Sequence, residues 1–407
     1  MPKPTSDCRA TERKRPWPMV RLGELGTMVR GNGIRRCETV ESGCPCLRYG
    51  EIYTSFNVIL DKPRSFVSKE LFDRSVKIKK GDLVFTLTGE NTEEIAKALA
   101  YLGEGEIAAG GDLAVWTGHG CDSKYLAYLM YSPQLISQKA ATGNGNIVVH
   151  TSIKKLQQLE IPLPPLPVQR EIVARLEREL AAEEKMKKGF EALAETAKQE
   201  FKAELKEVFE EIKHRGTETR MLGDVCEVVC GKTPLRSNPR FWRNGNVPWF
   251  TIDDLRVQGR DIRATEKCIT EEASSSMRII PSDTVLLCCT ASIGACCLAR
   301  IPLTTNQQFN ALIVRDKNAL IAEYLYYFCL GLTPVLNELS SKTTIDFVSK
   351  TKVENIDFAF PPLAVQRKVM ARLDLVKARA EKLEAKAREG VAVCETMRKA
   401  ILKEAFE

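Results

Sequence analysis

Histidine is scarce in this sequence, at three residues in 407. His119 sits in a Gly-rich turn, His150 follows a polar Gly143-Asn144-Gly145-Asn146 loop, and His214 lies where the last turn of a helix favours a cation. They are scattered, and no nucleophile stands with a base in the pattern that covalent or acid–base catalysis needs. No methyltransferase motif is present. No apolar run approaches the 18–20 residues that cross a bilayer, which sets aside a membrane span. The N-terminal MPKPTSDCRATERKRPWP is charged but has no apolar stretch behind it, so it does not read as a secretory signal. These features point to a cytoplasmic protein.

Cysteine, by contrast, is plentiful at 14 residues, but metal spacing is missing. Cys44-Pro45-Cys46 and the Cys288-Cys289 and Cys296-Cys297 pairs lack the two-residue gap of a zinc knuckle. The chain is far too long for a disulfide mini-scaffold. Cysteines inside apolar runs read as buried free thiols, adjacent ones pointing to opposite faces of a hairpin. GDVCEVVCGKT at 223–233 ends like a phosphate-binding loop, but Cys226 stands where the first glycine is required, and no helix follows.

What the sequence does contain is a duplication. PPLPVQREIVARLE at 164–177 returns as PPLAVQRKVMARLD at 361–374, roughly 197 residues later. Leu22-Gly23-Glu24 likewise returns as Leu222-Gly223-Asp224. An internal repeat of this kind governs the fold. A net charge of +7 permits a nucleic-acid partner without requiring one.

Five segments follow from the repeat. Residues 1–16 form a polar basic tail, and 17–163 and 216–360 form two similar α+β domains. Spacer helices occupy 164–215 and 361–407. Within the domains, the run LVFTLTG after Lys80-Gly81-Asp82 reads as a strand, as do 112–116 and 310–314. VLLCCTASIGACCLAR reads as a hairpin. Helices are expected at 124–139, broken by Pro133, and at 320–330.

The segments behind the Pro-Pro-Leu motifs differ in kind. From Val168 to Lys213 there is no proline and one glycine, Gly189. Apolar residues recur at three- and four-residue steps: Ile172, Leu176, Leu180, Met186, Phe190, Leu193, Ala197, Phe201, Leu205, Val208 and Ile212. The second segment repeats this through Val369, Leu373, Val376, Ala380, Leu383, Ala387, Val391, Cys394, Met397 and Ile401. Pro167 suits the first position of a helix and Gly216 a C-terminal cap. The seams are too narrow to pack a domain core, so each helix is expected to pair with the other, antiparallel by connectivity. About 45 residues of helix reach on the order of 65–70 Å, so the expected shape is a dumbbell with an approximate twofold axis. Charge pairs such as Glu183/Lys187 and Glu184/Lys188 read as a solvated face.

Two related readers at a fixed separation suit duplex DNA, whose half-sites recur every ~34 Å. The second domain carries GKTPLRSNPRFWRNGNVPWF, with Lys232, Thr233, Arg236, Asn238, Arg240, Trp242 and Arg243 and no acid among them. Arginine and asparagine can pair bidentately with guanine and adenine edges. The first domain has Arg30, Asn32, Arg35, Arg36 and Arg48 in the corresponding region, with Asn144 and Asn146 in a later loop. Asn306, Gln307, Lys342 and Thr343 complete the candidate DNA-binding set.

Over nearly its whole length the chain resembles the DNA-specificity (S) subunits of type I restriction–modification systems. The resemblance rests on Leu22-Gly23 and Leu222-Gly223, Gly-Lys-Thr-Pro at 231–234, Asn238-Pro239, Val-Pro-Trp-Phe at 247–250 leading to Asp253-Asp254-Leu255, Asn306-Gln307, and both Pro-Pro-Leu-x-x-Gln helix starts. It implies two target-recognition domains, each reading half of a bipartite double-stranded site, and no catalysis by this chain. It also implies partner methyltransferase subunits docked on the helices, around Pro165, Gln169, Arg170, Pro362, Gln366 and Arg367, and a motor/endonuclease subunit. S-adenosylmethionine, ATP and Mg would belong to those partners, with no cofactor here. The sequence departs from the pattern at Val168 and Val365, where the family often has an acid. It departs also in the first domain, with Gly31-Asn32-Gly33-Ile34 for Gly-Lys-Thr-Pro, Pro45-Cys46 for Pro-Trp, and Gly111-Asp112 for Asn306-Gln307. Two alternative readings use the same features: the specificity component of a type II-like fused restriction–methylation system, and a coiled-coil adaptor that binds proteins and not DNA.

Overall fold

The computed structural model describes residues 17–55, 58–145, 148–340 and 346–406. The basic tail, Asn146, Lys342 and Thr343 lie outside the described residues. The chain divides into two compact units, Met1–Gly189 with Gly390–Glu407, and Phe190–Glu389. Both are α+β, and each takes one part of each long helix.

The duplication is visible in sheet topology. The first unit has a five-stranded sheet in the order Thr27–Arg30, Leu113–Thr117, Leu83–Thr86, Ala98–Tyr101, Ile59–Leu60. The second has Cys226–Cys230, Phe309–Val314, Thr284–Cys288, Cys296–Ala299, Asp261–Ile262. In both, every neighbouring pair is antiparallel except the last, which is parallel. A second sheet, of five strands in the first unit and three in the second, repeats in its centre: Cys44–Leu47 lies between Ser65–Val67 and Ile107–Ala109, as Val247–Phe250 lies between Lys267–Ile269 and Thr304–Thr305.

The period of two along a strand splits the apolar residues between two layers. Val285, Leu287 and Cys289 join the cluster that includes Tyr324 and Phe328, while Leu286 and Cys288 join Phe250 and Phe309. Cys296 and Cys297 divide in the same way, as adjacent residues of a hairpin must. The helix expected at 124–139 is two, Ser123–Leu129 and Pro133–Thr142, with Ser132 capping the second and Pro133 opening it.

The long helices run from Leu166 to His214 and from Leu363 to Phe406. Pro167 is therefore the second helical residue, and Gly216 follows the first helix with φ +70°, a conformation that favours glycine. Each helix is fixed to a domain by its motif glutamine. Gln169 accepts from the Asp122 N–H at 2.8 Å and donates to the Pro164 carbonyl at 2.8 Å. Gln366 accepts from the Ile321 N–H at 2.9 Å and donates to the Pro361 and Ala319 carbonyls. Matching buried tyrosines stand beside them, Tyr125 donating to Pro162 O and Tyr324 to Ala359 O.

Within each unit the helix segments run against one another, and they also enter the domain core. In the first unit Glu183 pairs with Arg398 at 3.1 Å and Lys187 with Glu395 at 3.9 Å. Rising numbers on one helix meet falling numbers on the other, so the segments are antiparallel. In the second unit Arg372 reaches Glu204, Glu207 and Glu211. Phe406 packs edge-on to Tyr125 with centroids 5.5 Å apart, and Phe209 meets Tyr324 at 5.6 Å.

The seam expectation needs three corrections. Leu205, Val208, Phe209 and Ile212 belong to a domain core together with Val369 and Leu373, because domain helices present apolar faces alongside the seam. Met186 and Leu193 are 42% and 38% exposed. Glu183 is buried on the seam and paired across it, not solvated.

Two outcomes follow. Gln366→Leu strands three buried backbone groups, each costing ~1–3 kcal/mol; urea denaturation is expected to show a loss of several kcal/mol, and a loss below about 1 would contradict the role. Lys139 is buried, donates to the Ala96 carbonyl at 3.2 Å, and is pushed down to about 7 by burial and by Lys97. An unfolded lysine titrates near 10.4, so between about 7 and 10 the unfolded chain binds the extra proton and stability rises with pH. Lys139→Met is expected to remove that rise, read as the difference in denaturation midpoint between pH 7 and 9.5; an unchanged slope would count against it.

Candidate nucleic-acid interface

In each unit the edge strand of the five-stranded sheet ends in a glycine pressed against backbone. Gly31 N–H donates to Leu113 O at 2.9 Å and Gly231 N–H to Phe309 O at 3.1 Å. The next residue reaches the following turn, Asn32 N to Ala109 O and Lys232 N to Thr305 O. A Cβ on Gly31 would lie 2.1 Å from Gly110 O, and one on Gly231 would lie 2.1 Å from Asn306 O. Only glycine fits either place. The same contacts pair Gly110-Gly111 with Asn306-Gln307, one residue earlier than the sequence comparison placed the match. Hydrogen-bond register, and not residue type, sets the correspondence.

Around Gly231 the structure gathers most of the predicted residues of the second domain. Thr233 Oγ1 donates to Gln307 Oε1. Trp249 Nε1 donates to Lys232 O at 3.1 Å, and Trp242 Nε1 to Leu235 O at 3.2 Å. The two indoles meet edge to face with centroids 5.0 Å apart. Asn238 caps the short turn Pro239–Phe241 through the Arg240 N–H, and Thr270 accepts no less a role in tethering it, its N–H donating to Phe241 O and its hydroxyl to Arg240 O. The loop backbone is thus held from inside. Arg236, Arg240 and Arg243 are exposed, and their guanidinium groups have no ion pair or hydrogen bond among the described residues. Lys232 is exposed, with Nζ donating to Ser276 O at 3.0 Å.

The first domain has the same turn with different fittings. Asn32 Oδ1 accepts from Val76 N at 2.6 Å, which ties the turn to a neighbouring loop. Arg30 donates to Gly111 O at 2.9 Å and reaches Asp112 at 3.3 Å. Arg48 is mostly buried, with its Nε 3.7 Å from Glu51. Arg30 and Arg48 therefore serve the local fold, while Arg35 and Arg36 stand exposed without an ion pair among the described residues. Pro45-Cys46 does take the place of Pro248-Trp249, since Cys46 pairs with Ala108 as Trp249 pairs with Thr304. Asn144 lies apart, in a backbone bridge with His150.

Asn306 is 8% exposed and closes on Gln308 through both side-chain atoms. Gln169 and Gln366 are buried at 3% and 0% exposure. The structure turns these three inward, whereas Pro165, Arg170, Pro362 and Arg367 remain exposed. Burial pushes the thiols of Cys46, Cys226 and Cys296 up to about 12, so they stay protonated packing groups. Among the described residues no group of three or more His, Cys, Asp or Glu side chains could hold a metal ion.

Ser276, Thr270 and Trp249 support the second turn, yet nothing local in the sequence marks the first two. Ser276 and Thr270 come roughly 40 residues after the glycine, and only sheet pairing brings them near it. Trp249 alone had a signal, in its place within Val-Pro-Trp-Phe.

Comparison with known proteins agrees with this duplicated arrangement. The profile of the family described as "Type I restriction modification DNA specificity domain" matches residues 14–189 and again 214–391. The MjaIX specificity subunit of Methanocaldococcus jannaschii is 32% identical over 157 residues, 37% of this chain and 36% of that protein. The EcoprrI specificity subunit of Escherichia coli is 31% identical over 113 residues, 27% of this chain and 28% of that protein. The matched segments thus span about a third of these relatives. A chain from work on complex assembly and conformational transition of the type I R-M system shares the fold, with a TM-score of 0.72 at 21% identity, covering 96% of this chain and 98% of that one. The HsdS subunit from Thermoanaerobacter tengcongensis gives 0.53 at 20% identity, covering 97% of both. With two copies of the family's domain covering most of its length, the chain belongs to the type I restriction modification DNA specificity family.

Proposed function

We propose that this chain is the sequence-reading subunit of a type I restriction–modification complex, each recognition domain binding one half of a bipartite duplex DNA site. The observation that carries the reading is the repeated glycine turn. In both units a backbone held from inside displays exposed guanidinium groups with no ion pair among the described residues, Arg35 and Arg36 in one and Arg236, Arg240 and Arg243 in the other. Exposed arginines on a fixed loop suit phosphate oxygens and guanine edges, and a preset backbone lowers the entropy lost on binding.

On this reading the recognition domains are 17–163 and 216–360, and the helices at 164–215 and 361–407 act as spacer and docking surface for methyltransferase subunits, with Arg170 and Arg367 exposed at their starts. The chain itself is non-catalytic and works in the cytoplasm. Methylation with S-adenosylmethionine, and ATP- and Mg-dependent translocation and cleavage, belong to methyltransferase and motor/endonuclease subunits.

The test is selection of bound sequences from a random duplex pool, with the methyltransferase partner present. A split motif is expected. Arg36→Ala is expected to change preference in one half only and Arg236→Ala in the other, each by about 1–3 kcal/mol at the affected base pair. Lys232→Ala is expected to weaken all sequences alike and to lower the salt slope by about one. No enriched split motif, or equal weakening of every sequence by both arginine variants, would overturn the reading.

A further inference from the structure

Among the cations of the second glycine turn stands an apolar side chain, Leu235. It is 64% exposed and joins no apolar cluster among the described residues. Its backbone is nonetheless held twice, because Leu235 O accepts from the Asn238 N–H at 3.1 Å and from Trp242 Nε1 at 3.2 Å. The first bond closes residues 235–238 into a β-turn with Arg236 and Ser237 at its centre. The far end of that turn is fixed as well, where Asn238 Oδ1 accepts from the Arg240 N–H at 3.1 Å.

Single exposed apolar residues are common on protein surfaces. The place of this one sets it apart. Arg236 follows it directly, Arg240 and Arg243 are exposed a few residues on, and residues 231–252 include no acid. The first domain provides the contrast. There Ile34, the apolar residue ahead of Arg35, is partly buried against the cluster of Cys46, Val67, Leu71 and Ala108. Ile34 therefore serves the fold, whereas Leu235 is displayed on a rigid turn within a surface of cations and amides.

We infer that Leu235 is a specificity-determining residue whose side chain meets the methyl group of a thymine, beside the base pair that Arg236 reads in the major groove. This rests on the DNA-reading role proposed above. The thymine methyl is an apolar group on a major-groove base edge, and apolar side chains recognise it by contact. Spacing agrees. Consecutive Cα atoms lie about 3.8 Å apart and successive base pairs ~3.4 Å, so neighbouring residues of the turn reach neighbouring base pairs. A methyl contact is too small to offset the entropy of ordering a free loop, and here the turn is ordered beforehand. Apolar side chains that wedge between base steps enter from the minor groove, whereas arginines that read guanine lie in the major groove.

The test uses the full-length chain, with the methyltransferase partner present, and the split duplex that the unaltered protein selects. In the half whose preference Arg236→Ala changes, each thymine is replaced in turn by deoxyuridine, which removes the methyl group and nothing else. One replacement is expected to weaken binding about fourfold, the effect of uncovering one buried methyl group. That thymine is expected within one base pair of the position that Arg236→Ala relaxes. Leu235→Ala is expected to bind the thymine and deoxyuridine duplexes alike, with its salt slope unchanged because no charge is lost. Leu235→Met keeps an apolar contact and is expected to retain the thymine preference. Since Leu235 is exposed, both variants are expected to keep the denaturation midpoint of the unaltered chain.

No thymine beside the Arg236 position, no deoxyuridine replacement that weakens binding there, or a thymine preference that survives Leu235→Ala would overturn the inference. So would equal weakening of both duplexes by Leu235→Ala together with a smaller DNA bend, read by energy transfer between labelled ends, which would make the leucine a wedge. Weaker methyltransferase binding by that variant without DNA would make it a protein contact, and would overturn it too. Failure to select any split motif would overturn the proposed function and this contact with it. A split motif whose second half is indifferent to thymine methyls would overturn this contact alone, so the two failures are distinguishable.

Discussion

Both long helices depend on one buried amide at their first turn. The opening N–H groups of a helix have no partner within it, and two prolines precede each of these helices. The glutamine side chain folds back to the Pro164 or Pro361 carbonyl and also takes an N–H from the entry of a domain helix, at Asp122 or Ile321. A single side chain thereby fixes where a helix of more than 40 residues leaves its domain. A charged or apolar residue of similar size could not both donate and accept. This explains why the glutamine recurs in both copies.

The duplicated domains follow the same economy in their turns. The approach of Gly31 and Gly231 to a carbonyl admits no side chain, so the backbone path is fixed wherever the copies diverge elsewhere. What secures the turn is free to differ. In one domain an asparagine oxygen takes an N–H from Val76, and in the other a tryptophan indole donates to the Lys232 carbonyl. Beyond the turn, Arg35 and Arg36 in one domain and Arg236, Arg240 and Arg243 in the other face solvent with no ion pair among the described residues. A scaffold of this kind lets a recognition surface change its chemistry while its geometry stays constant, because the interactions that hold the loop come from beneath it.

The long helices also show how a narrow apolar stripe can serve two partners. Leu176 and Leu180 meet residues near the end of the second helix, while Val173 enters the first domain's core. Phe209 and Phe406 occupy matching places against Tyr324 and Tyr125. The buried Glu183–Arg398 pair breaks the apolar stripe with a charge that only one register satisfies. A mispaired register would leave a desolvated carboxylate.

The repeat, the α+β class, the strand pairs around the cysteine hairpin and the extent of both helices were legible in the sequence. Each depends on periodicity or on residues that neighbours in the chain already constrain. The glycine turns were legible for the same reason, as were the split faces of Cys288 and Cys289. Tertiary structure alone decided which polar residues are free. Arg30, Arg48, Asn306 and both motif glutamines look as available in the sequence as Arg236 does, but Arg30 and the glutamines meet backbone groups more than 40 residues away, and packing turns Arg48 and Asn306 inward onto Glu51 and Gln308. Local pattern reports which face of an element is apolar; it carries no record of what distant segment that face will meet or leave uncovered.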